Sequence, residues 1–133
     1  MPLAAVGARL RTICLALPEA TEKLMRRGPS YRVTDKIFAL ERPRDDWLAL
    51  WCKVPDGSRE ILLQAEPARF FIPPYFGAKG WIGVGLDESV DWRQVEGFVR
   101  RSYRLVAPKR LAKLVARNEG SAGRAGLPAR RAP

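Results

Sequence analysis

The chain has 133 residues with 24 Lys and Arg against 14 Asp and Glu, a formal charge of +10, and 47% apolar and 29% charged residues. That balance describes one ordinary globular domain, and no apolar run approaches the roughly 20 residues that a membrane-crossing helix needs. The sequence contains no histidine, which removes Ser-His and Cys-His nucleophilic pairs, an imidazole base near neutral pH and most zinc sites, so a non-enzymatic protein with no cofactor and no metal is expected.

In chain order, Val6, Leu10, Ile13, Cys14 and Leu17 recur at helical offsets and predict a helix over 4–17, ended by Pro18. The apolar stretch from Leu3 to Ala8 is interrupted by Arg9 and Arg11 and is too short for a signal peptide. Cys14 and Cys52 stand alone without metal-ligand spacing and read as reduced, buried thiols of a cytoplasmic protein.

Three strand candidates follow: Lys23–Arg27, Ser30–Leu40 with a kink or turn at Thr34-Asp35, and Asp46–Val54 after the turn-like Arg42-Pro43-Arg44-Asp45. In the third, Leu48, Leu50, Cys52 and Val54 point one way, and Trp47, Ala49, Trp51 and Lys53 the other. Two tryptophans on one sheet face are too much apolar surface to leave bare, so Trp47, Trp51 and Trp81 form a candidate interaction face.

A short helix is expected over 58–65, with Ser58 as N-cap, Ile61, Leu62 and Ala65 facing inward, and Pro67 as its stop. Residues 70–86 read as two strands joined by a loop, with Ile82, Val84 and Leu86 alternating with Trp81, Gly83 and Gly85. The smooth glycine strip admits either a ligand or a bulky neighbouring side chain. The loop Phe76-Gly77-Ala78-Lys79-Gly80-Trp81, one lysine among aromatics, suits a wing that touches phosphate or stacks a base; the alternative is a solvated hairpin whose aromatics belong to the core.

The strongest helix spans 91–106, capped by Asp91, with Trp92, Val95, Phe98, Val99, Ser102, Tyr103 and Val106 on one stripe. Pro108 interrupts it, Lys109–Ala116 forms a short terminal helix, and 117–133 reads as a disordered basic tail after a domain of residues 1–116. The predicted order is α-β-β-β-α-β-β-α. Short turns between strands imply an antiparallel sheet with helices on one face, a two-layer α+β domain. Its core is expected to hold Leu10, Ile13, Leu17, Leu48, Leu50, Leu62, Ile82, Val84, Val95, Phe98, Val99 and Tyr103.

Nine of the ten net charges lie from Arg100 onward, where ten bases face one acid, Glu119. Such polarity attracts polyanions, although an Arg-rich composition produces the same count. The candidate nucleic-acid contacts are therefore Arg100, Arg101, Arg104, Lys109, Arg110, Lys113 and Arg117, joined by Arg26, Arg27, Lys36 and Lys79 from turns and loops. Weak, phosphate-driven DNA binding is the first expectation. A protein partner or a homodimer docked on the tryptophan face is the second.

The stretches Tyr31-Arg32-Val33-Thr34-Asp35-Lys36-Ile37-Phe38-Ala39, Pro73-Pro74-Tyr75 through Lys79-Gly80-Trp81-Ile82-Gly83-Val84, and Ser102-Tyr103-Arg104-Leu105-Val106 resemble the MmcQ/YjbR-like family. The likeness covers roughly residues 5–114. It implies a small bacterial α+β protein similar to secretion-chaperone-like and frataxin-like domains. It also implies DNA binding through a double-wing arrangement of hairpins, a label that rests on fold analogy, and it brings no catalytic residues.

Overall fold

A computed structural model describes residues 2–115; the expectations for the tail, including Arg117, lie outside them. Helix α1 (Leu3–Leu15) leads into four consecutive strands: β1 (Thr21–Met25), β2 (Gly28–Val33), β3 (Lys36–Arg44) and β4 (Trp47–Lys53). Then come α2 (Ser58–Ala65), β5 (Phe70–Phe71), a 3₁₀ turn at Gly77–Lys79, β6 (Trp81–Leu86), α3 (Trp92–Val106) and α4 (Lys109–Ala112). The strands form one antiparallel sheet in the order β1-β2-β3-β4-β6-β5. No described helix is long and apolar enough to cross a membrane.

The expected α+β class and antiparallel sheet are present, with one strand more than the predicted order before α2. The stretch 30–40 is two strands, because Thr34 and Asp35 both adopt positive φ (48° and 66°), the signature of a tight two-residue hairpin turn. Asp45 does the same (φ 51°) between β3 and β4.

The main core lies between the sheet and α1 and α3. Leu10 and Cys14 from α1, Tyr31, Phe38, Leu50, Ile82 and Val84 from the sheet, and Val95, Val99 and Tyr103 from α3 are all sealed from solvent. Ile13, Leu48 and Leu62, expected inside, are partly buried against this cluster. Asp91 caps α3 by accepting from the backbone N–H of Arg93 (3.0 Å) and Gln94 (3.4 Å), satisfying donors that the first turn leaves open. Ser102 bolts α3 to the sheet: its hydroxyl donates to the Phe38 carbonyl (2.7 Å) and accepts from the Lys53 N–H (2.9 Å). Tyr103 donates to the Pro18 carbonyl at 2.6 Å.

Helix α2 lies where expected, at 58–65, but differs in its cap and its inward face. Gly57, at φ 86°, is its N-cap in place of Ser58, with no side-chain cap bond. Leu62 and Leu63 face the core, whereas Ala65 is exposed and Ile61 is 69% exposed. The helix lies over the short edge strand β5, so only a narrow stripe of it finds a neighbour.

Candidate nucleic-acid interface

The C-terminal end of α3 and the start of α4 frame an open groove of about 620 Å³. Arg101, Arg104, Lys109 and Lys113 line it over a floor of Pro55, Leu105, Ala112 and Val115, and none of the described lining residues is acidic. Local sequence sets this shape. Pro108 stops the helical hydrogen-bonding of α3 and starts α4, with Ala107 extended between them. Leu111 and Val115 then bury themselves against the main core, which fixes the turn of α4 and presents Lys109 and Lys113 to solvent.

Arg110 points elsewhere. It forms an ion pair with Glu19 at 3.1 Å, and hydrogen bonding from Arg110 holds the Glu19 carboxyl below its ordinary range. Arg100 is half-buried on α3 outside the groove lining.

The turn residues separate into two groups at opposite ends of the sheet. Arg26 and Arg27 form the exposed β1–β2 turn, while Lys36 follows the β2–β3 turn. Six residues of β2 lie between these turns, about 20 Å at the rise of an antiparallel strand. Arg26 and Arg27 therefore do not form one local cluster with Lys36. Lys36 belongs to the groove end: Ala39 pairs with Cys52, and continuing that register brings Lys36 level with Pro55. Lys79 lies at this end too, because Gly80 accepts the N–H of Val54 and Trp81 pairs with Lys53.

The loop around Lys79 is not a free wing. Phe76 packs on Trp81 (centroids 5.0 Å apart) and Trp51 (6.0 Å), and Lys79 lies over the Phe76 ring at 5.3 Å. The Arg59 guanidinium donates to the Gly77 carbonyl and ties the loop to α2. The tryptophan face is likewise closed: Trp51 is 7% and Trp81 5% exposed, in a small second cluster with Leu40 and Ala49. Only Trp47 keeps partial exposure. The expectation of an open aromatic docking face fails because the loop folds back as its lid. The glycine strip is spoken for as well, since a Cβ on Gly83 would come within 2.6 Å of the Phe71 ring.

Burial pushes the thiol of Cys52 up to about 12 and that of Cys14 well above its ordinary value, so both stay protonated core thiols. Among the described residues no group of three or more His, Cys, Asp and Glu gathers that could hold a metal ion.

A family model described as YjbR matches residues 15–105. The crystal structure of Deinococcus radiodurans protein DR2400, described by a DUF419 domain, is similar at 28% identity and a TM-score of 0.67, covering 84% of this chain and 85% of that one. No curated protein matches the chain.

Proposed function

The chain belongs to the YjbR family, and from that premise we propose that it binds DNA without catalysing a reaction, chiefly through phosphates. The observation that carries this reading is the groove at the α3–α4 junction, where Arg101, Arg104, Lys109 and Lys113 surround an apolar floor with no carboxylate among the described lining residues. Converging cations favour an anion, and phosphate contacts position a duplex without reading its sequence. Lys36 and Lys79 add positive charge at the same end of the sheet, Lys79 from the loop over the opposite face. The alternative of a protein docked on the tryptophan face loses its anchors, because Trp51 and Trp81 are covered.

The test is fluorescence anisotropy of unrelated DNA duplexes over a range of salt. If the four groove bases each neutralise one phosphate, log affinity falls against log salt with a slope near about −3.6. Lys109→Ala with Lys113→Ala is expected to weaken all duplexes evenly and flatten the slope by about two. Arg110→Ala is expected to change it less, because Glu19 already neutralises that guanidinium. Unchanged binding in the double variant, or none at low salt, overturns the reading.

A further inference from the structure

The strand register sorts charge by face. The two strand acids, Glu22 and Glu41, point to the helix side: Glu22 stands opposite Tyr31 and pairs with Arg11 of α1, and the Glu41 carboxylate lies against Gly7 of α1. Five of the six strand bases point the other way. Lys23 is opposite Ser30, Arg32 opposite Ile37, Arg42 opposite Ala49, Arg44 opposite Trp47 and Lys53 opposite Trp81. The second face therefore carries five strand cations and no strand carboxylate.

This face also holds buried donors without acceptors. The Trp51 Nε1 and one guanidinium nitrogen of Arg44 are buried without a hydrogen-bond partner, a condition that is costly unless something accepts from them. The sharpest convergence is over Met25. The Nη2 of Arg32 reaches its sulfur at 3.6 Å and the Nη2 of Arg42 at 3.8 Å. A thioether is a weak acceptor for even one guanidinium.

The remaining contacts of the pair are modest. Arg32 bonds Ser30 Oγ at 3.1 Å and lies 3.6 Å from Asp35, which is almost fully exposed. Arg42 donates to the Glu41 carbonyl at 2.8 Å and stacks over Trp51. Gly28, at φ 139°, makes the approach feasible, since a Cβ there would meet the Glu41 carbonyl at 2.6 Å and hold the β1–β2 hairpin off Arg42. Arg42 is 6% exposed, and burial first, then the nearby Arg27, holds its pKa below the ordinary value.

We propose that Arg32 and Arg42, meeting at Met25 on the face without strand carboxylates, form a binding site for a phosphate oxyanion, separate from the α3–α4 groove. Two planar guanidiniums offer forked donors that match phosphate oxygens. Met25 is 36% exposed and its flexible thioether can swing aside for a stronger acceptor. The oxyanion would supply the charge and acceptors that the face lacks. Free phosphate and a nucleic-acid backbone present the same group.

The test is NMR of the arginine guanidinium resonances in the full chain, titrated first with inorganic phosphate and then with a DNA duplex. Phosphate is expected to shift Arg32 and Arg42 together. Arg32→Gln, which leaves the Trp51 stack in place, and Arg42→Lys, which keeps the charge but loses the fork, are each expected to weaken phosphate binding about tenfold. Lys109→Ala with Lys113→Ala is expected to leave that binding unchanged, so failure of the groove reading and failure of this site are read separately. Pair shifts with phosphate alone assign a free-ion site, and shifts with both ligands assign a backbone contact. An unmoved pair under both ligands overturns the proposal, as does full phosphate affinity in a folded Arg32→Gln variant.

Discussion

The two faces of this sheet are built from alternate residues of the same strands, yet they are covered by different means. On one side α1 and α3 seal Tyr31, Phe38, Leu50, Ile82 and Val84 into a dry core. On the other, no helix is needed: a short loop brings Phe76 onto Trp51 and Trp81, and Arg42 and Arg44 lay their guanidiniums over the Trp51 and Phe71 rings. Arginine can roof an apolar patch because its stem and planar head shield surface while its edge stays polar. The cost is a face of unbalanced positive charge. A helix-covered face stores stability, and the arginine-covered face is where the proposed phosphate site lies.

Removing a ring from the helix side should give the largest effect. Phe98, edge-on to Phe70 at 5.7 Å, is in the sealed core, and Phe98→Ala is expected to cost about 3–5 kcal/mol in denaturant melts. A loss under about 1 kcal/mol would mean that the second face carries more of the fold than its size suggests. Gly83→Ala probes that second face: the added methyl must displace the Phe71 ring from beneath Arg44. The expected loss is about 1–3 kcal/mol, measured the same way.

The smallest effect concerns charge placed on the helix side. Burial raises the Glu41 carboxyl above its ordinary value, with Glu22 adding to the rise and Arg42 opposing it. For an acid whose folded value is raised, stability is fullest below the unfolded value near 4.5 and falls as pH climbs through the folded one. Glu41→Gln should therefore stabilise the protein at neutral pH and give no gain in acid. Thermal melts at the two pH values check it, and an equal gain at both would show that charge is not the cause.

Much of this arrangement was legible in the chain. The period of two in 47–54 and 81–86 assigned the strand faces correctly, and the stripe from Trp92 to Val106 located α3 with its Asp91 cap. The family resemblance was legible separately, in the residue identities of the stretches 31–39, 73–84 and 102–106. Alternation and helical spacing are local, so the order of residues along a short segment carries them. Local rules placed α2 correctly at 58–65 but misread its details: Gly57 and not Ser58 is the cap, and Ile61, read as inward, is exposed. A helix over a two-residue edge strand has too little neighbour to bury its whole apolar stripe.

Composition and periodicity by themselves determined that this chain makes a basic α+β domain with an antiparallel sheet, and that its positive charge gathers toward the C-terminal helices. Only the tertiary structure decided which bases lie together. Pro108 and the burial of Leu111 and Val115 turn Lys109 and Lys113 toward Arg101, while Glu19, far off in sequence, takes Arg110 out of the group. The strand register decided that Arg32 and Arg42 meet over Met25. Both outcomes are long-range pairings, set by packing and register between segments, and no local period in the sequence encodes them.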